Sequence, residues 1–313
     1  MSRENTTLPV YVDEPPWYQS TIERIGTYGR RLQSALVYSA AYLVAVGLAW
    51  SLLVTMALSL PLSPAPFVVG LVTFGVYAGD RITDVDVDEI SNPTQAAFIR
   101  RHKGVLSVLS AGAYGIAVAL SILGGPLALG ITLLPGGFWV LYATEWLPSL
   151  SANLQRLKNI LVLNSALVAG AWAVAVVFLP LAFANRTMTT TAALLFVYVF
   201  VDVFINTEIP NVPDREADAA VGVSTLPVVF GVARTRQILY VLEAALSGLL
   251  IVGLAVGLLP DPVAIATLWA MGFTIAMTVF VGRTTHYRRL TIAGEVKQLG
   301  VVVLVAVLNG VGL

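Results

Sequence analysis

Two tight groups of acidic residues in this chain of 313 have spacings that suit chemistry. The first holds Asp80, Asp84, Asp86, Asp88 and Glu89; the second holds Asn211, Asp214, Glu216 and Asp218. Asp80, Asp84 and Asp88 recur every fourth residue, and Asn211, Asp214 and Asp218 recur at intervals of three and four. Each set therefore forms one stripe on a helix. Carboxylates crowded onto a stripe repel one another unless a cation sits among them. Hard oxygen ligands of this kind suit Mg2+, which takes a few carboxylates together with phosphate oxygens and keeps several of its waters. Two such stripes face to face would grip a diphosphate through Mg2+ and neutralise the charge that develops as a C–O bond breaks. Either group alone reads equally well as a solvated loop. Two groups in helical register, in a chain with only 12% charged residues, favour a site.

The elements that must hold these stripes are membrane helices. The chain is 57% hydrophobic, with mean hydropathy +0.83, whereas a soluble domain carries roughly 25% charged residues. About 20 apolar residues cross a bilayer core as a helix. Nine such runs are expected, near 35–60, 64–80, 104–123, 126–147, 159–183, 189–207, 236–258, 262–282 and 293–312. The expected fold is an all-α membrane protein, nine transmembrane helices in a single bundle with a central cavity over 34–313, preceded by a polar segment, 1–33. That segment lacks the short apolar core of a signal peptide. The first acidic group then falls at the end of the second helix and the second just past the sixth.

Basic residues orient the bundle. With the N-terminus inside, seventeen of the 18 lysines and arginines fall on the inner side and only Arg186 falls outside. The positive-inside rule then makes the N-terminus and both acidic loops cytoplasmic, the C-terminus external, and the plasma membrane the expected location. Zero formal net charge gives no field to steer nucleic acid. The absence of cysteine excludes disulfides, thiolate metal sites and a cysteine nucleophile. His102 and His286 lack a ligand partner at metal-binding spacing.

At the two acidic groups the chain resembles the UbiA-type intramembrane prenyltransferases, a family of nine helices with motifs NxxxDxxxD after the second and DxxDxxxD after the sixth. Asn211, Asp214 and Asp218 are followed by Gly222, Thr225, Leu226, Pro227 and Gly231, similar to the family's G-x-x-TLP-V-x-x-G run. The first motif admits two registers. In one, Asp80, Arg81 and Asp84 match the family's D-R-x-x-D and Val76 stands where asparagine is expected. In the preferred one, Asp80 takes the asparagine slot, Asp84 and Asp88 are the two aspartates, and Pro93 follows five residues later. In that register aspartate replaces asparagine at 80 and asparagine replaces aspartate at 211, so the ligand count is kept. The likeness runs over nearly the whole chain from residue 35.

The resemblance implies Mg2+-dependent transfer of a prenyl group from a prenyl diphosphate to a lipophilic acceptor inside the bilayer. Asp84, Asp88, Asp214 and Asp218 would carry most of the metal binding, completed by Asp80 and Asn211. Lys158 resembles the family's basic segment before the fifth helix and, with Arg215, would contact diphosphate; Lys158 serves equally as a positive-inside anchor. Tyr142 resembles a tyrosine common on the fourth helix, where its ring face would stabilise an allylic cation, or would simply pack. Asn164, Asp202 and Glu208 are polar groups at membrane depth, with helix–helix hydrogen bonding the blander role for Asn164. No protein partner is implied. A rival class is an ion-coupled transporter, but transporters place their acids near the midplane in broken helices, and these aspartates fall at helix ends. A degenerate family member is the other alternative.

Overall fold

The computed structural model describes residues 16–86, 89, 92–143, 163–220 and 222–312. Among these the chain is helical, with no strand. An amphipathic helix, α1 (Pro16–Tyr38), precedes α2 (Tyr42–Ala57) and α3 (Ala65–Thr83). Next come α4 (Pro93–Ser121) and α5 (Gly125–Ala143), joined by a 3-10 turn, and then α6 (Leu163–Phe183) and α7 (Thr190–Glu208). A ten-residue helix, α8 (Asn211–Ala220), leads into α9 (Leu226–Ala255), α10 (Asp261–Thr278) and α11 (Tyr287–Gly310).

By length and composition six stretches of the described residues are able to cross a membrane: Pro93–Gly137, Ser165–Phe183, Thr190–Glu208, Leu226–Ala255, Asp261–Thr278 and Tyr287–Gly310. A seventh arises if Gly26–Tyr38 and Tyr42–Ala57, bent by 65°, count as one. Their outward faces carry Val105, Val108, Ile116, Val241, Ile251, Val303 and Val307, all exposed, as lipid-facing helices require. The interior is one large apolar cluster in which Trp50, Val69, Val177, Tyr198, Leu250, Met271 and Val301 are buried.

Several helices start earlier than the apolar runs do. The fourth starts at Pro93 rather than 104, because Asn92 Oδ1 accepts the Gln95 N–H (3.4 Å) and Pro93 sits in the first turn. That is a standard start signal. The ninth starts at Leu226 rather than 236, and the eleventh at Tyr287 rather than 293. Backbone hydrogen bonds do not need apolar side chains, so polar turns extend the fourth and eleventh helices beyond the hydrophobic stretch, whereas the ninth gains an apolar first turn set off by the kink at Gly231.

Although Pro93–Gly137 runs for 45 residues, it folds back on itself. The turn Ile122–Gly124 ends at Gly125, whose φ of +80° suits glycine. Tyr114 of α4 then lies against Thr132 and Gly136 of α5: its hydroxyl donates to the Thr132 carbonyl (2.9 Å) and accepts the Gly136 N–H (3.0 Å). Those two backbone groups sit four residues apart beside Pro135, which lies inside the helix.

Candidate functional site

The first acidic group ends α3. Asp84 caps that helix, its N–H donating to the Asp80 carbonyl (2.9 Å), so the two aspartates keep helical spacing. Both are exposed. Asp86 and Glu89 face elsewhere: Arg100 of α4 reaches Asp86 Oδ1 at 2.7 Å and Glu89 Oε2 at 2.6 Å. That pairing holds the Glu89 carboxyl below its usual range. Among the described residues the loop thus sorts its acids, with Asp86 and Glu89 bound to Arg100 and Asp80 and Asp84 on the α3 stripe.

The second group occupies α8. Val212 anchors this short helix by burial against Ile209, Leu226, Leu239 and Met277. Asp214, Arg215 and Glu216 are exposed and Asp218 is half-buried. Gly222, at φ +78°, ends α8, in keeping with the left-handed residue that closes many helices. Pro227 lies in the first turn of α9, and Gly231 at φ 74°, ψ 162° kinks that helix. The run from 222 to 231 is thus a stop, a start and a bend.

Burial raises the Asp218 carboxyl from its ordinary 3.8 to about 6, with repulsion from Asp214 and Glu208 adding to the effect. Glu208, fully buried at the end of α7, accepts the Leu226 N–H at 3.2 Å. Asn211 donates to Ser165 Oγ at 3.4 Å, which ties α8 to the first turns of α6.

A chain of contacts puts these two acid-bearing ends at the same end of the bundle. Arg81, beside Asp80, donates to the Val37 and Tyr38 carbonyls at the end of α1, the latter at 2.8 Å. The Arg288 guanidinium, at the start of α11, lies 4.5 Å from the Tyr38 ring centre. Two turns on, Glu295 accepts the Tyr42 hydroxyl of α2. Beside it Gly294 packs against Asn206, so closely that a Cβ there would lie 2.2 Å from Asn206 Oδ1. Asn206 belongs to the last turn of α7, just ahead of Asn211. The N-terminal half of α11 thus bridges the end of α3 to the end of α7.

Among the described residues no three acidic, histidine or cysteine groups converge closely enough to hold a metal ion unaided. The donor set still fits Mg2+, an ion that completes its shell with phosphate and water oxygens. Asp214 and Asp218 repel each other, and a cation relieves that repulsion. Asp88 and Lys158 lie outside the described residues. Tyr142 belongs to the last turn of α5 and Asn164 to the first turn of α6. Arg215 is exposed, 3.4 Å from Glu216.

Sequence reasoning named Asp202 and Glu208 at membrane depth, and both are buried, but it missed their buried partners and neighbours on other helices. Lys297, counted above with the inner-side cations, is instead buried in α11, its Nζ 2.7 Å from Asp202 Oδ1 of α7. Glu243 of α9, also fully buried, accepts the Thr278 hydroxyl. The available signal was the presence of Glu243, Glu295 and Lys297 inside otherwise apolar spans, where an ionisable group is expensive and by default functional.

An all-helical membrane bundle with two carboxylate-bearing helix ends at one end defines a class of intramembrane protein. Residues 65–291 match the model of the UbiA prenyltransferase family, and the chain belongs to that family. Solved structures of similar fold include an apo UbiA homologue from Aeropyrum pernix K1 (17% identity, 86% of this chain, 97% of that one, TM-score 0.59). A second is a UbiA homologue from Archaeoglobus fulgidus bound to DMAPP and Mg2+ (13%, 86% and 99%, TM-score 0.54). A third is reported for digeranylgeranylglyceryl phosphate synthase in membranes (15%, 91% and 100%, TM-score 0.56). No curated protein matches the chain in sequence.

Proposed function

We propose that this chain catalyses Mg2+-dependent transfer of a prenyl group from a prenyl diphosphate to a lipophilic acceptor within the bilayer. The observation that carries this reading is the chain of contacts through α1 and α11 that links the end of α3 to the end of α7 at one end of the bundle. Family membership and a homologue bound to DMAPP and Mg2+ support it.

In this reading Asp84, Asp88, Asp214 and Asp218 would hold Mg2+, with Asp80 and Asn211 completing the two shells, and the bound ion would supply neutralisation of negative charge on the diphosphate. Lys158 and Arg215 contact the same group, since fixed cations stabilise a leaving anion. The C–O bond at the first prenyl carbon breaks with its electron pair going to diphosphate. A carbon or oxygen of the acceptor then bonds to the allylic carbon and releases a proton. Apolar helix walls keep water from the cation, and Tyr142 and Asn164 line the space where acceptor and prenyl chain meet.

The same reading takes nine spans over 34–313 around a central cavity, N-terminus and acidic ends cytoplasmic, in the plasma membrane. Three features support the count. The fold-back at Gly125 divides Pro93–Gly137 in two. The 19-residue α3 carries charge only at its end, in Asp80 and Arg81. The 16-residue α2 continues from α1 across a 65° bend.

Purified protein supplied with a labelled prenyl diphosphate, Mg2+ and a panel of lipophilic acceptors is expected to release diphosphate and yield a prenylated product identifiable by mass. Asp84→Ala and Asp218→Ala should each reduce that release by at least about a hundredfold, the scale of a lost electrostatic contact to the leaving group. Full turnover in either variant refutes the metal assignment.

A further inference from the structure

The last helix is pinned to three others by polar side chains. From α11, Arg288 reaches the Tyr38 ring of α1, Glu295 the Tyr42 hydroxyl of α2, and Lys297 and Gln298 reach α7. Lys297–Asp202 is the ion pair among these contacts, and its two side chains are 0% and 1% exposed. Asp202 Oδ2 also accepts from Asn206 Nδ2 at 3.1 Å, and Glu243 of α9 lies within electrostatic reach of both charges.

Stability alone does not explain such a pair. Desolvating two charges consumes most of their attraction, and well-packed apolar residues in their place are often as stable or more so. Beyond this polar cluster the bundle interior is apolar. What the pair adds is registry, the best-attested use of a buried ion pair. Sliding α11 along α7 by one turn moves Nζ by about 5.4 Å and strands both charges where no water reaches them. The contact of Gly294 with Asn206, one turn away, enforces the same register. Asn211 follows directly on the end of α7, so whatever sets the position of α7 sets α8 and its carboxylates. Mg2+ tolerates little error in ligand placement, since it demands near-octahedral oxygen contacts at about 2.0–2.1 Å.

We propose that Lys297 and Asp202 are a positioning pair: their buried ion pair sets the register of α7 against α11 and thereby holds the acidic stripe of α8 opposite that of α3. In its catalytic consequence this rests on the metal–diphosphate reading above. Neither residue touches substrate.

The test combines distance and activity. Lys297→Met alone strands a buried carboxylate and is expected to misassemble, so the informative form is the double variant Asp202→Leu/Lys297→Met. Because the chain has no cysteine, Thr83→Cys and Ala219→Cys, both at exposed positions, carry spin labels on the two ends without background. The parent pair is expected to give one narrow distance distribution in lipid. The double variant is expected to stay folded with an unchanged or higher melting temperature, to broaden or shift that distribution, and to need at least about tenfold more Mg2+ for half-maximal rate. An unchanged distribution with an unchanged Mg2+ requirement overturns the proposal, as does unfolding of the double variant, which would make the pair a stability device. Failure of the prenyl-transfer reading is a separate outcome: no Mg2+-dependent diphosphate release from the unaltered chain. The label distances then still decide the positioning role.

Discussion

Glu208 Oε2 accepts the backbone N–H of Leu226 at 3.2 Å, which stitches the last residue of α7 to the first of α9 across the whole of α8. The contact is buried, and Leu226 N–H belongs to the first turn of α9, which has no intrahelical partner for it. Glu208→Ala should therefore cost about 1–3 kcal/mol, the penalty for stranding a buried donor. Glu208→Gln keeps an acceptor oxygen and should cost less than half as much. Thermal unfolding in lipid nanodiscs measures both, and equal losses would contradict the hydrogen-bond account.

Asp218 sets a pH dependence. Its carboxyl is raised from 3.8 to about 6 in the folded chain by burial, Asp214 and Glu208. Folding thus favours the protonated form, and this contribution to stability is full below about pH 4 and lost as pH rises through about 6. Mg2+ needs the ionised form, so stabilisation by Mg2+ should be larger at about pH 7.5 than at about pH 5. Melting curves with and without Mg2+ at the two pH values test this. Asp218→Asn should flatten the difference, and an equal Mg2+ effect at both pH values in the unaltered protein would count against Asp218 as a ligand.

Tyr114 patches the α5 backbone. Its hydroxyl serves the Gly136 N–H and the Thr132 carbonyl together, next to Pro135 inside the helix, which has no N–H to donate. Inside a bilayer such backbone groups have no water to turn to. Tyr114→Phe should lower stability by about 1–3 kcal/mol without altering the Mg2+ requirement. Chemical denaturation and a Mg2+ titration together separate that outcome from a catalytic role.

The proposed orientation is open to direct labelling. A single cysteine replacing Gln95 should react with a membrane-impermeant maleimide only from the cytoplasmic side, and one replacing Ser63 only from the outside. Reaction from the opposite sides would reverse the topology argued from the basic residues.

The local geometry of the candidate site was legible in the sequence because its signals are local. Helical spacing within 80–84 and within 211–218 survives in α3 and α8. Gly222, Pro227 and Gly231 act through their own backbone limits. Asp86 and Glu89 were harder to sort from Asp80 and Asp84. Their separation depends on Arg100, which lies on the next helix and whose reach no spacing within the loop announces. The amphipathic α1 went unseen because its polar residues conceal a helical stripe from a search for long apolar runs.

The amino-acid order alone determined membrane residence, the helical class and the two acidic stripes. Each follows from a property of a short window of chain, its transfer free energy, its 3.6-residue period or its permitted φ. The basic residues had already put the α3 and α7 ends on one face; only the tertiary structure decided that Lys297 belongs to Asp202 rather than to an inner loop, and that α11 links those two ends. Those are pairings between residues remote in sequence, selected by the cost of leaving a charge unpaired in an apolar interior.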